Sequence, residues 1–194
     1  NSIREYIRNF IMSKLETNTI DTVSGTTNLV VGSTNSSTVT FESGAATGHM
    51  YPAFHAYLSS DQTLNNNTTT VVAFDAETFD TDSCFNTSTY RFTPNKAGKY
   101  QFSFCANLKN TNGVYYMQAD LRKNGSNVSS SRGPVFENSS SSDQSIEMVP
   151  LVQTIIMDMN GSSDYIDVTA YFYNNGNGVI DGQRSFINGF RIGA

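Results

Sequence analysis

The chain has 194 residues, a formal charge of -5 and only 15% charged residues, yet 38% of it is hydrophobic and 12% aromatic. That length suits one main domain with a smaller appendage, and the apolar content is enough for one sizeable core. An acidic surface repels phosphate backbones, so no nucleic-acid partner is expected, and no apolar run is long enough to span a bilayer, so no membrane partner is expected either.

In chain order, residues 1–16 read as an amphipathic helix. Ile3, Tyr6, Ile7, Phe10 and Ile11 recur at helical spacing and Leu15 closes the stripe. So short a helix is marginal alone in water. It therefore docks on a larger assembly or bundles with its own copies as a trimer neck. Residues 17–48 change texture. Short apolar pairs (Ile20 and Val23, Leu29 and Val31, Val39 and Phe41) are separated by Thr, Ser, Asn and Gly. Each piece is too small to bury its own face and gains stability only by stacking on neighbours or other chains. This segment resembles bacteriophage fibre shafts, in which three chains wrap β-segments together.

Residues 49–194 read as the globular head. "YPAFHAYLS", "TVVAFDAETF", "TYRFT", "GKYQFSFCANL", "VYYMQADLRKN", "VPLVQTIIMDM", "YIDVTAYFYN" and "SFINGFRIG" are short, often alternating runs rich in Tyr and Phe, divided by turn residues. No long helix interrupts them. The pattern predicts an all-β sandwich or barrel. In "RFTPNKAGKYQFSF", Pro94 fixes its own φ and Gly98 permits a tight approach into the next strand. In that strand Tyr100, Phe102 and Phe104 share one face, and Gln101, Ser103 and Cys105 the other. The rings are expected in a core.

This segment resembles the complement component 1q globular-head family, relatives of the tumour necrosis factor jelly roll. Gly98, Tyr100, Phe102 and Phe104 match its Gly-x-Tyr-x-Phe-x-Phe/Tyr strand. "AFHAYLS" is similar to the family's opening strand, and "ADLRKNG" to its Leu-x-Lys-Asn-Gly hairpin. "VAFDAETFDTDSCFNTSTYRFT" is similar to the segment carrying its Phe-Asp pair. Ser185, Phe186, Gly189 and Phe190 of "SFINGFRIG" match its closing strand. The resemblance covers residues 51–194 and implies a jelly-roll β-sandwich that forms homotrimers. It implies structural roles for Phe186 and Phe190 beside those of Tyr100, Phe102 and Phe104. The collagen-like Gly-x-y stalk of animal members is absent and the shaft-like segment stands in its place, which favours a microbial or viral version.

No catalytic constellation emerges. His49 and His55 lie near no nucleophile elbow. Asp75, Glu77, Asp80 and Asp82 could flank a glycosidic bond or offer hard oxygen ligands, and some members of the resembled family bind calcium. Their spacing matches no EF-hand loop, and they read as solvated turn residues. No cofactor or metal is expected. Cys84 and Cys105 can pair or stay as thiols.

If consecutive strands alternate and both termini lie at the stalk end, the exposed tip carries residues 110–113, 136–144 and 174–184. Candidate receptor-binding residues there are Asn110, Asn112, Phe136, Asn138, Asp143, Asn175, Asn177 and Asp181. Asn and Asp suit sugar hydroxyls, and Phe136 could stack on a sugar ring. Together these readings describe a non-enzymatic homotrimeric bacteriophage fibre protein. It would sit in the virion, join other virion proteins through its N-terminal segment, and attach to host surface glycan or protein. Two alternatives are a purely structural virion component and a surface-glycan depolymerase.

Overall fold

The computed structural model describes residues 51–109, 114–128, 133–137, 148–174 and 176–193. All belong to the second of the two units into which the chain divides, Ala46–Ala194. The expected helix over 1–16 and shaft over 17–48 lie outside the described residues.

Among the described residues there is no helix, and strands follow one another throughout. They are β1 (Ala53–Tyr57), β2 (Gln62–Leu64), β3 (Thr68–Val71), β4 (Ala76–Asp80), β5 (Phe85–Asn86), β6 (Arg91–Phe92) and β7 (Ala97–Lys109). The second half contributes β8 (Val114–Lys123), β9 (Ser126–Asn127), β10 (Val135–Glu137), β11 (Val149–Asn160), β12 (Ile166–Asn174), β13 (Gly178–Ile180) and β14 (Phe186–Gly193). The eight segments read from the sequence all contain strand. The short β2, β5, β9, β10 and β13 are additions, because two or three residues carry no alternation to read.

The strands form two antiparallel sheets. The first runs β4-β1-β14-β7-β11, with β13 on the far part of β7 and β2 beyond it. The second is centred on the β8–β12 pair. β9 and β10 flank β8, β3 and β6 flank β12, and β5 follows β6. This is a sandwich whose apolar inner faces meet in one core.

The ring-rich strand β7 lies at the centre of that core. Tyr100, Phe102 and Phe104 are buried, and Phe92 on β6 meets Tyr100 and Phe102 edge-on at 6.0 and 5.8 Å. Phe54 on β1 stacks on Phe92 at 4.2 Å. Each such ring contributes roughly 1.5–3 kcal/mol by leaving water. Gly98 has φ +145°, and a Cβ there would collide with the carbonyl oxygen of Gly193. Only glycine lets β14 close against the start of β7. At the β8–β9 turn, Asn124 and Gly125 both have positive φ, 53° and 77°, as a two-residue hairpin requires.

Phe186 and Phe190 are placed differently from their expected core role. Both are half-buried on the outward face of β14, while Ile187 and Gly189 face inward. The register explains this: Phe186 and Phe190 oppose Cys105 and Gln101, whereas Ile187 and Gly189 oppose Phe104 and Phe102. Cross-strand partners share a face.

The chain enters and leaves this head at one end. Ala53 pairs with Phe190, and the Arg191 amide donates to the Pro52 carbonyl at 3.2 Å. β7 runs from that end to the opposite one, so Lys109, the β11 start and β13 lie far from it.

Candidate functional site

At the far end the expected recognition residues divide. Asn110, Asn112, Asn138, Asp143 and Asn175 lie outside the described residues. Asn177 is exposed, and its side-chain oxygen accepts from the Asn66 amide at 3.3 Å. Asp181 is buried and fully engaged. Its carboxylate holds Arg184 at 3.0 Å, accepts from the Gln183 amide and lies 3.7 Å from Lys109. Lys109 pairs with Asp61 at 2.8 Å; that hydrogen bond and the Gly182 amide hold the Asp61 carboxyl below its usual range. Phe136 packs against the core instead of facing solvent, because it opposes the inward-facing Met117 on β8. Asp181 and Phe136 are therefore not available as ligand contacts.

The outward face of the first sheet is apolar in alternate rows. The register lines up Tyr57, Phe186, Cys105 and Val152 in one row. The next crosses Phe79, His55, Asn188, Ser103 and Thr154, and the third crosses Ala53, Phe190, Gln101 and Ile156. His55 stacks on Phe186 at 5.7 Å, and its Nδ1 lies 3.1 Å from the Thr78 hydroxyl. It is thus held as a packed surface ring. Phe79, Val152 and Ile156 are each about half exposed, at 48%, 54% and 57%. A shallow cavity of about 270 Å³ opens between His55, Phe79 and Phe190.

The outward face of the second sheet has a different character. It carries a cavity of about 800 Å³ along the β8–β12 pair. β8 offers Tyr116, Gln118, Asp120 and Arg122, and β12 sets Tyr173, Tyr171, Thr169 and Asp167 opposite them. Thr69 on β3 and Glu137 on β10 stand at its sides. The floor is internally bonded. The Tyr116 hydroxyl donates to Gln118 at 2.7 Å, the Gln118 amide donates to Asp120 at 2.7 Å, and the Gly133 amide donates to Asp120 at 2.9 Å. Arg122 makes a two-pronged bond, at 2.7 and 2.9 Å, to the wholly buried Asp167. The Tyr171 hydroxyl donates to Asn67 at 2.6 Å. Sequence reading missed this groove. Its signal was the period-two run of polar and aromatic residues on two strands, which only their pairing converts into one surface.

The family model described as the C1q domain matches residues 53–154. The chain belongs to the C1q domain family. No curated protein sequence is significantly similar to it. Among solved structures, the Eiger tumour necrosis factor from S. frugiperda is similar at 11% identity, with 75% of this chain and 95% of that one covered and a TM-score of 0.51. Murine APRIL at pH 8.0 is similar at 9% identity, with 72% and 98% covered and a TM-score of 0.53. The globular domain of the zebrafish complement 1qA protein is 17% identical, with 73% and 97% covered and a TM-score of 0.48.

In this C1q domain Asp75 and Asp80 of the acidic run each accept from a backbone amide. Asp75 accepts from the amide and hydroxyl of Ser59 at 2.8 and 2.7 Å, and Asp80 accepts from the Phe85 amide at 2.6 Å. Burial opposes the ionised form of Asp75, but the Ser59 bonds outweigh it and hold the carboxyl below its usual range. Among the described residues no three His, Cys, Asp or Glu side chains gather as a metal site. Cys84 and Cys105 are both buried free thiols, and burial pushes both up in pKa.

Proposed function

We propose that this C1q-family chain is a non-enzymatic, homotrimeric fibre-type component of a viral particle. In this reading its head attaches to a host-cell surface and its N-terminal segment joins other virion proteins. The observation that carries it is the outward face of the first sheet. Phe79, Val152 and Ile156 stand in water on a regular sheet whose edge strand β11 pairs only with β7 among the described residues. Apolar rows beside an open edge are what another copy of the same chain would cover. The cavity by His55 and Phe79 offers such a copy a place to insert a side chain. Closing the association with three copies accords with what the family resemblance implies.

The particle context rests on residues 17–48. That Thr, Ser and Asn-rich segment replaces a collagen-like stalk, and its short apolar pairs need neighbouring chains to cover them. Three heads on one stalk would turn weak single-site binding into firm attachment. Asp75 and Asp80 each hold a backbone amide, which is a structural use of the acidic run and favours a binding head over a depolymerase. The test is a solution mass by analytical ultracentrifugation on the whole chain. Three times 21.3 kDa is expected. A stable monomer at micromolar concentration overturns the fibre reading. Labelling of intact particles with an antibody to the head then tests the virion assignment, and unlabelled particles overturn it.

A further inference from the structure

We infer that the outward groove of the second sheet, on the β8–β12 pair, is a binding site for a neutral saccharide chain. The inference deepens the attachment reading by moving the contact from the tip loops to a sheet face. Its length points to an extended ligand. Tyr116 to Arg122 covers seven residues, six steps or about 20 Å of strand, which is the span of several pyranose rings. Its volume of about 800 Å³ lies in the range of small-ligand sites.

The lining points to the chemistry. Tyr115, Tyr116, Tyr171 and Tyr173 gather at one end, with the Tyr116–Tyr171 and Tyr115–Tyr173 ring centroids 5.8 and 6.1 Å apart. Tyr173 is 48% exposed, so much of its surface is open. Sugars offer an apolar C–H face for such rings and a belt of hydroxyls for donors and acceptors. Gln118, Asn127 and Glu137 supply that second requirement along the groove.

The charge selects a neutral ligand. Arg122 is the groove's basic side chain; the buried Asp167 beneath it faces both Arg122 and, at 3.5 Å, Arg91, so these three groups together carry one positive charge. The carboxylates of Asp120 and Glu137 outweigh that charge and leave the groove net negative, so it repels sulfated or sialylated chains. Its polar floor is held by the Tyr116–Gln118–Asp120–Gly133 hydrogen bonds before any ligand arrives, which lowers the ordering cost of binding.

The experiment titrates the whole chain with neutral tetrasaccharides of glucose, galactose and N-acetylglucosamine, alongside sulfated and sialylated counterparts, observed by NMR. Expected are saturable shifts of the groove tyrosines with at least one neutral member. Tyr173→Ala is expected to weaken binding about tenfold while Tyr173→Phe keeps it. Asn177→Ala, at the tip, is expected to bind as the wild type. The site is overturned if no neutral member binds, if the shifts avoid the groove in the unsubstituted chain, if charged members bind equally well, or if Tyr173→Ala binds unchanged. Adhesion of the chain to host cells is scored separately. A chain that adheres but ignores saccharides loses this site and keeps the attachment reading. One that binds saccharides but adheres to no cell keeps the site and loses that reading.

Discussion

Single residues here answer to the face on which the register places them. Tyr100 is buried in the core, with its hydroxyl donating to the Lys96 carbonyl at 2.7 Å. Burial disfavours its phenolate and pushes the hydroxyl from 10.0 up to about 12. The folded state therefore holds this proton more tightly than the unfolded chain. The resulting stability is fully present below pH 10 and is lost as pH rises through about 12. The two-unit difference is worth roughly 2–3 kcal/mol. Tyr100→Phe removes the titration and is expected to flatten the alkaline limb of a stability curve measured by urea denaturation from pH 9 to 12. It should cost about 1 kcal/mol at pH 7 through the lost hydrogen bond. An unchanged alkaline limb would show that another group governs it.

At the scale of elements, the β7–β14 pair joins core to surface. Gly189 opposes Phe102, and a Cβ added there would collide with Cδ1 of that ring and lie 2.8 Å from its Cε1. The ring packs against the bare backbone of β14 because nothing projects inward at that position. Gly189→Ala is expected to cost roughly 1–3 kcal/mol as an overpacked contact, lowering Tm by several degrees in calorimetry. Adding Phe102→Leu should return part of that loss, since the two sites share one volume. Two independent, additive losses would mean that the ring does not set the strand separation.

At the scale of the whole domain, the two outward faces differ in chemistry. One is apolar in rows and suits copies of the same chain; the other is polar, tyrosine-lined and suits a ligand. Ile156 is 57% exposed at the edge strand β11. Ile156→Asp is expected to shift the solution mass from trimer to monomer, because a carboxylate would have to be buried unpaired in the association. The fold should survive, since Ile156 contributes little to the core of its own chain, and an unchanged far-ultraviolet circular dichroism spectrum would check this. A trimer that persists with Ile156→Asp places the association on some other surface.

The sequence by itself determined the all-β class, the family resemblance and the core role of Tyr100, Phe102 and Phe104. The class and that core role follow from the two-residue period of strands and from turn chemistry at Pro94 and Gly98, while the resemblance rests on matched motifs such as Gly98, Tyr100, Phe102 and Phe104, all read within a few residues. That Phe186 and Phe190 face outward, and that Phe136 packs partly against the core, is settled by strand pairing across the fold. The tertiary structure alone also decides that Asp181 is consumed by Lys109 and Arg184, and that Tyr116 stands beside Tyr173. Alternation shows that two faces exist, not which one meets the partner sheet. That choice belongs to strand pairing between residues far apart in the chain, as where Phe186 opposes Cys105 and Tyr116 opposes Tyr173. No local pattern encodes that register.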